Sequence, residues 1–554
     1  MPFLYIVLYS KQNHNRKGIM ASVSKNQAKI KKEKKTQKIA RQIQRNIRKR
    51  NKTKCVGKRL TGEEKEIRCS KLAACRERKR QHRREQQEKY NAKRFQKSIL
   101  KIFNVEGLDL LARSTGFIKR KGLITAFAFI YSVSFGFLGN GEIALIYLVA
   151  GLAKNFDIFV TAQALSKRIN SSSSPKFLKK VFQQLLGAQI ETGLKNHTSE
   201  VFHMFDHILL QDSTQIALNE LLSDDFTAPG GGGSTSGLKL DFVYDILNSF
   251  VCGVKMTCAT VNDQSLSKEI VKYLKGSTLV IRDLGYFSLK CLKLIDAKGC
   301  FYLSRLSITA YAYLDEKSKE PLNLLEHFKK NIDTENKIIN FDVYVGKEER
   351  VKTRLIAQKL PKDVKAQRTA RYKREKKKEP DPYYTEWCGY AIFITNIPIG
   401  MLSDDFIITL YKIRWQIELV FKSFKSNIEI DYMKGTNKNR IECLVYGRLI
   451  TLTMTFIIHN YVATIAEKNE VSGDKLVKYL MSDHRLREAI IQNDLSQLLS
   501  DLEYRILQLC KQKRARKTTF DNLEEVVKNS LINLSSLKGN GDVLMNVFDL
   551  QNAM

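Results

Sequence analysis

Residues 410–430, LYKIRWQIELVFKSFKSNIEI, mix bulky apolar side chains with cations and one early carboxylate, Glu418. On a helix turning about 100° per residue, with Tyr411 at zero, Arg414 falls at about 300°, Glu418 at about 340° and Lys425 at about 320°. Ile413, Ile417, Val420, Phe421, Phe424 and Ile428 gather instead at roughly 180–280°, a stripe wide enough to face a core. The polar stripe is narrow, and Glu418 lies too far from Lys425 for an i,i+4 ion pair. Ser403 is a good N-cap for this helix, with Asp404 and Asp405 in its first turn. A solvated helix face would give the same stripe, so the rest of the chain must decide what it is for.

The chain has 554 residues and a formal net charge of +37, well beyond what solubility needs. Such an excess points to a polyanionic partner. It is concentrated at the start, where residues 1–100 hold 32 Lys+Arg against 7 Asp+Glu, net +25. The ten cysteines are scattered without any C-x2-C pair, which argues against a zinc ribbon and fits a reducing compartment. The opening MPFLYIVLYSKQ lacks the basic residue and cleavage site of a signal peptide, and Met20 is an alternative start. Two apolar stretches, Leu123–Gly139 and Leu449–Ala466, are borderline in length for membrane spans and read better as buried helices.

The composition divides the chain into six parts. Residues 1–100 are a basic, helical or disordered extension, and 101–200 an apolar, helical region. Residues 201–308 alternate as strands: HILLQD (207–212), LKLDFVYDI and FVCGVKMTCA as an antiparallel pair, STLVIRDLGYF (277–287) and GCFYLSRL (299–306). Between them, NDQSLSKEIVKYLK (262–275) has an N-cap and a helical period. Residues 309–398 read as a β-rich insertion with a basic loop, since 351–380 carry 12 Lys+Arg against 3 Asp+Glu. The Glu418 helix lies in 399–466, and a helical tail, 467–554, follows. The order of strands and helices is that of an RNase H-like α/β sheet.

Two acids at strand ends, Asp212 and Asp283, and one on a helix, Glu418, are the groups that metal-assisted phosphoryl transfer uses. Short aspartates suit rigid strand ends, and glutamate reaches in from a helix. Taken singly, each acid also suits a turn or a cap. His203-x3-His207 has one-turn spacing but lacks the glutamate of a zinc protease helix.

Tyr411-x2-Arg414-x3-Glu418-x6-Lys425 resembles the Y-R-E-K signature of bacterial insertion-sequence DDE transposases, in the insertion sequence four family. QDST (211–214) resembles that family's first-acid region, and RDLGYF its second, although the family often has Arg or Lys where this chain has Leu284. GLDLLARSTGFIKRK (107–121) and ITNIP (394–398) extend the likeness to about residues 107–465. The resemblance implies that Asp212, Asp283 and Glu418 are catalytic and bind Mg2+ or Mn2+, two ions together. It implies that Tyr411, Arg414 and Lys425 hold DNA phosphates at the transposon end, with Arg305 a further DNA contact. Trp387 either stacks on an unpaired base or is buried in a strand.

The expected protein is a cut-and-paste transposase of the bacterial cytoplasm and nucleoid. It would bind terminal inverted repeats and target as double-stranded DNA, and work as a homodimer without a membrane. The alternatives are a catalytically inactive DNA-binding remnant, or a membrane protein using the two apolar stretches.

Overall fold

The computed structural model describes residues 103–135, 144–192 and 204–465, apart from 231–233, 249 and 432, with scattered residues between 472 and 510. The basic extension of residues 1–100 and most of the C-terminal tail lie outside the described residues, as does His203. All described residues belong to one compact unit, Gln86–Met554.

Helices come first: α1 (Val105–Ser114), α2 (Ala126–Phe135), α3 (Leu145–Phe156), α4 (Ala162–Ile169) and α5 (Ser173–Thr192). Asn104 starts α1 by accepting from the Glu106 N–H at 3.1 Å, and Thr161 starts α4 by accepting from Ala164 at 3.2 Å. Phe117 of the STGF turn stacks on Phe177, centroids 4.8 Å apart, and the Arg168 guanidinium covers its ring.

The sheet follows, with β1 (His207–Ala217), β2 (Gly237–Asp245) and β3 (Phe250–Cys258) forming an antiparallel set. Next come a short helix α6 (Asp263–Leu266) and a 3-10 segment, Ser267–Tyr273. This replaces the single helix expected over 262–275. The reason is tertiary: the carbonyls of Leu266 and Ser267 accept from the side chains of Gln211, Arg282 and Cys291, all distant in sequence. Then β4 (Thr278–Arg282) runs parallel to β1, the helix α7 (Leu289–Asp296) crosses over, and β5 (Phe301–Arg305) runs parallel to β4.

The segment expected as an insertion contributes β6 (Ala312–Tyr313), α8 (Leu324–Asn331), β7 (Ile338–Val345), β8 (Val351–Lys359), α9 (Lys362–Lys376), α10 (Pro382–Trp387) and β9 (Tyr390–Thr395). Its strands continue the same sheet, because β9 pairs antiparallel with β5; the order is β3-β2-β1-β4-β5-β9-β8-β7-β6. The basic run is a helix, α9, rather than a loop, and none of its residues is fully buried. Trp387 ends helix α10 and does not lie in a strand; its ring stacks on Tyr383 at 6.2 Å.

The Glu418 helix is broken into α11 (Asp404–Tyr411), a 3-10 turn (Lys412–Arg414) and α12 (Trp415–Ile428). Last comes α13 (Lys438–Ile465), which packs against α5 and α2. A Cβ at Gly447 would collide with the Val133 carbonyl of α2, so glycine is needed where these helices meet. By length and composition Lys438–Tyr461 is apolar enough to cross a membrane, but 89% of its apolar window is buried inside the protein. The other stretch forms only the ten-residue α2, with residues 136–139 outside the described set. Most described apolar residues of both stretches are therefore spent on the core, Leu123 being exposed.

Candidate active site

In β1, Asp212 pairs with Phe242 of β2 and faces the side of the sheet covered by α12, where Phe242 meets Phe421 with centroids 5.2 Å apart. The parallel ladder between β1 and β4 ends at Gln211 opposite Arg282. Asp283 is the first residue past β4, whereas Asp212 does not end its strand as expected: β1 runs on to Ala217, held by its pairing with β2. Both acids are the next residues in the chain after this ladder stops, so they emerge side by side at its end. Ile413 and Ile417 are fully buried and Phe421 nearly so, which turns the opposite side of α12 towards that end.

Arg414 stands at the centre. Its Nη2 donates to Glu418 Oε1 at 2.7 Å, its Nη1 lies 3.5 Å from Asp212 Oδ2, and its Nε lies 3.8 Å from Asp283 Oδ1. Three acids separated by up to 206 positions in sequence thus converge on one guanidinium. Among the described residues, no set of His, Cys, Asp or Glu side chains is closed into a ready metal nest. The acids surround a monovalent cation instead. Their donors are all carboxylate oxygens, which suit hard divalent ions.

The electrostatics agree with a shared pocket. Asp212 is pushed up to about 6, first by burial and also by the charges of Asp283 and Glu418; the Ser213 N–H and Arg414 pull it back down. Burial opposes the charge on Arg414, but Asp283, Tyr411 and Glu418 together raise it above its ordinary value. A site where two neighbouring acids raise Asp212, held by one cation, is chemically fitted to accept more positive charge.

Tyr411 is placed differently from the helical wheel. The 3-10 turn advances about 120° per residue rather than 100°, so three residues rotate Tyr411 by roughly 60° relative to Glu418. Its ring packs on Phe393, its hydroxyl donates to the Arg282 carbonyl at 3.2 Å, and burial pushes its phenol up to about 12. That bond steadies the residue just before Asp283. Lys425 is half-buried, seven residues and about 10 Å of helix beyond Glu418. Arg305, at the end of β5, lies close enough to Tyr411 and Arg368 for its charge to act on both.

The start of α11 is pinned from the inserted strands. The buried Arg354 of β8 pairs with Asp404, and Arg354 Nη1 donates to the Ile397 carbonyl at 3.2 Å. Helix α9 lies beside the site: Arg371 is held above its ordinary value mainly by Glu375, and also by the charges of Glu418 and Asp283. Arg368 fastens α9 to the sheet by donating to the Tyr390 carbonyl at 2.9 Å. Composition marks the basic run; nothing local in the sequence brings Arg371 to the acids. His207 is a structural residue at the far end of β1, its Nδ1 2.6 Å from Asp245 Oδ2.

A family model described as "Transposase DDE domain" matches residues 203–454. The transposase for insertion sequence element IS1151 of Clostridium perfringens is 28% identical over 464 residues, 78% of this chain and 96% of that protein. The transposase for IS231F of Bacillus thuringiensis subsp. israelensis is 28% identical over 462 residues, 77% of this chain and 94% of its own. Among solved structures, the piggyBac transposase synaptic complex with hairpin DNA matches at 12% identity and a TM-score of 0.40, covering 77% of this chain and 88% of that one.

Proposed function

Because this chain belongs to the DDE transposases of bacterial insertion sequences, we propose that it binds the terminal inverted repeats of its element and performs cut-and-paste cleavage and strand transfer with Asp212, Asp283 and Glu418. The observation that carries this reading is the convergence of the three carboxylates on Arg414. The strand order β3-β2-β1-β4-β5, with the first acid on the central strand, supports an RNase H-like core within 201–308 and 399–466. On the same reading 101–200 is a helical N-terminal region, 309–398 a β-rich insertion, and 467–554 a C-terminal helical region.

Cleavage is attack by water on a DNA phosphorus, releasing a 3′-hydroxyl; strand transfer is attack by that hydroxyl on a target phosphorus. Asp212, Asp283 and Glu418 would hold Mg2+ or Mn2+, which would supply Lewis-acid stabilisation of the attacking and leaving oxygens. Tyr411 keeps the Asp283 strand end in register through the Arg282 carbonyl. Arg414 balances the acids and, when they take up a cation, is free to turn its donors to a scissile phosphate. Lys425, Arg305 and the exposed cations of α9 extend a positive rim for the DNA backbone. The partners on this reading are transposon ends and target DNA, met as a homodimer in the cytoplasm and nucleoid.

The test is cleavage of a plasmid carrying the element's ends by Asp212→Asn, Asp283→Asn and Glu418→Gln, alongside a mobility-shift measurement. Each variant should lose cleavage in both Mg2+ and Mn2+ while keeping end binding. Near-normal cleavage by any one removes that acid from the reaction.

A further inference from the structure

Behind the acids, on the other face of the sheet, lies a buried polar network that none of the roles above uses. Side chains alternate along a strand, so Gln211 and Ser213 point away from the face that carries Asp212. Gln211, fully buried, donates through Nε2 to Asp241 Oδ2 at 3.1 Å and to the Leu266 carbonyl at 3.1 Å. Tyr286, also buried, donates its hydroxyl to Asp241 Oδ1 at 2.7 Å. Ser213 donates to Asp263 Oδ1 at 3.0 Å, where Lys239 donates as well at 2.8 Å.

Asp241 is 2% exposed and sits on β2 opposite Ser213. It has no route to substrate. Yet it bonds to the residue just before Asp212 and to the third residue after Asp283. The β1–β4 ladder stops at Gln211 and Arg282, so backbone pairing does not set the spacing of the two acids beyond it. The Asp241 carboxylate bridges the two segments where the ladder has ended. Burying a carboxylate is costly, and well-packed apolar residues commonly replace buried charge without loss of stability. A network that keeps this cost in place of a cheaper apolar contact fixes geometry.

We propose that Asp241 is a positioning residue for strand cleavage: from the rear face of the sheet, through Gln211 and Tyr286, it sets the separation of Asp212 and Asp283. It makes Gln211 and Tyr286, within the QDST and RDLGYF motifs, part of the support of the acids. The inference rests on the assignment of those acids as the metal-binding groups.

The test is calorimetric titration of the full chain with Mn2+ in the absence of DNA, with melting temperature measured on the same samples. Tyr286→Phe removes one hydroxyl and should weaken Mn2+ binding about tenfold, the scale typical of groups that orient metal ligands. Asp241→Leu should weaken it further while melting no lower than wild type. Asp241→Asn should restore most of the affinity, because its amide oxygen still accepts from Tyr286 and Gln211 can turn its own amide. Should Asp241→Leu fail to fold, Tyr286→Phe and Asp241→Asn still decide the matter. Wild-type Mn2+ affinity in Tyr286→Phe would overturn the proposal and leave the acids' assignment standing. Wild-type affinity in Asp212→Asn would overturn both.

Discussion

Replacing Arg414 by glutamine tests whether this guanidinium stands in for a cation among the acids. The 2.7 Å bond to Glu418 is charge-assisted and contributes on the order of 1.5–3 kcal/mol net. The contacts to Asp212 and Asp283, at 3.5 and 3.8 Å, are too long for hydrogen bonds and act as screened charge pairs. At an effective dielectric of about 20 each has a gross attraction of roughly 4–5 kcal/mol, most of it returned as the desolvation of a half-buried guanidinium. Arg414→Gln should therefore cost about 2–4 kcal/mol in EDTA, where the three carboxylates lose their counter-charge. Metal should reverse the loss. With the competing cation gone, Mn2+ affinity should rise about tenfold, or 1.4 kcal/mol. Mn2+ at about a hundred times its dissociation constant would add about 2.7 kcal/mol of stability. The assay is denaturant unfolding with EDTA or Mn2+, paired with calorimetric Mn2+ titration. An unchanged midpoint in EDTA together with unchanged Mn2+ affinity would refute the reasoning, leaving Arg414 a solvated neighbour of Glu418.

Two further outcomes are expected. Deleting residues 1–100, which carry net +25, should chiefly weaken sequence-independent DNA binding. If ~6–10 of their cations meet phosphates, the full chain should lose about three to five decades of affinity between 50 and 200 mM salt, and the deletion should flatten that slope; an equal slope would assign the segment another partner. The second concerns pH. Burial pushes Asp241 from 3.8 up to about 6 in the folded chain, against the hydrogen bonds of Tyr286 and Gln211 that pull it down. The fold therefore favours the protonated acid, and that contribution is complete below pH 3.8 and lost as pH rises through about 6. The loss is roughly 3 kcal/mol, so Asp241→Asn, neutral throughout, should gain on wild type by up to that amount between pH 4 and 7 in unfolding experiments. A difference that does not change with pH would show that Asp241 stays ionised.

Much of the sheet was legible from periodicity and turn residues. HILLQD, LKLDFVYDI, FVCGVKMTCA and LVIRD are strands where alternation and β-branched content place them, and Asp283 follows the last residue of its strand; Asp212 does not end β1, which runs on to Ala217 because residues 212–217 stay paired with β2. The apolar stripe of the Glu418 helix is buried at Ile413 and Ile417, as its spacing requires. Where local reading failed, a distant group had intervened. The helix expected over 262–275 gives up its ladder because Gln211 and Arg282 take its carbonyls. The basic run of 362–376 forms a helix that Arg368 fastens to β9.

The sequence alone marked candidates for the chemistry: three acids, cations on one helical stripe, and a motif spacing that resembles that of a transposase family. The tertiary structure decided what those residues face. Arg414 lies among three carboxylates, Tyr411 steadies a carbonyl 129 positions away, and Asp241, which belongs to no motif, holds Gln211 and Tyr286. The reason is physical. Side-chain periodicity depends on neighbours within a few residues, so it can be read along the chain and reports which side of an element is polar. The partner of a polar side is set by strand register and by where a ladder ends, and those depend on contacts between residues far apart in sequence.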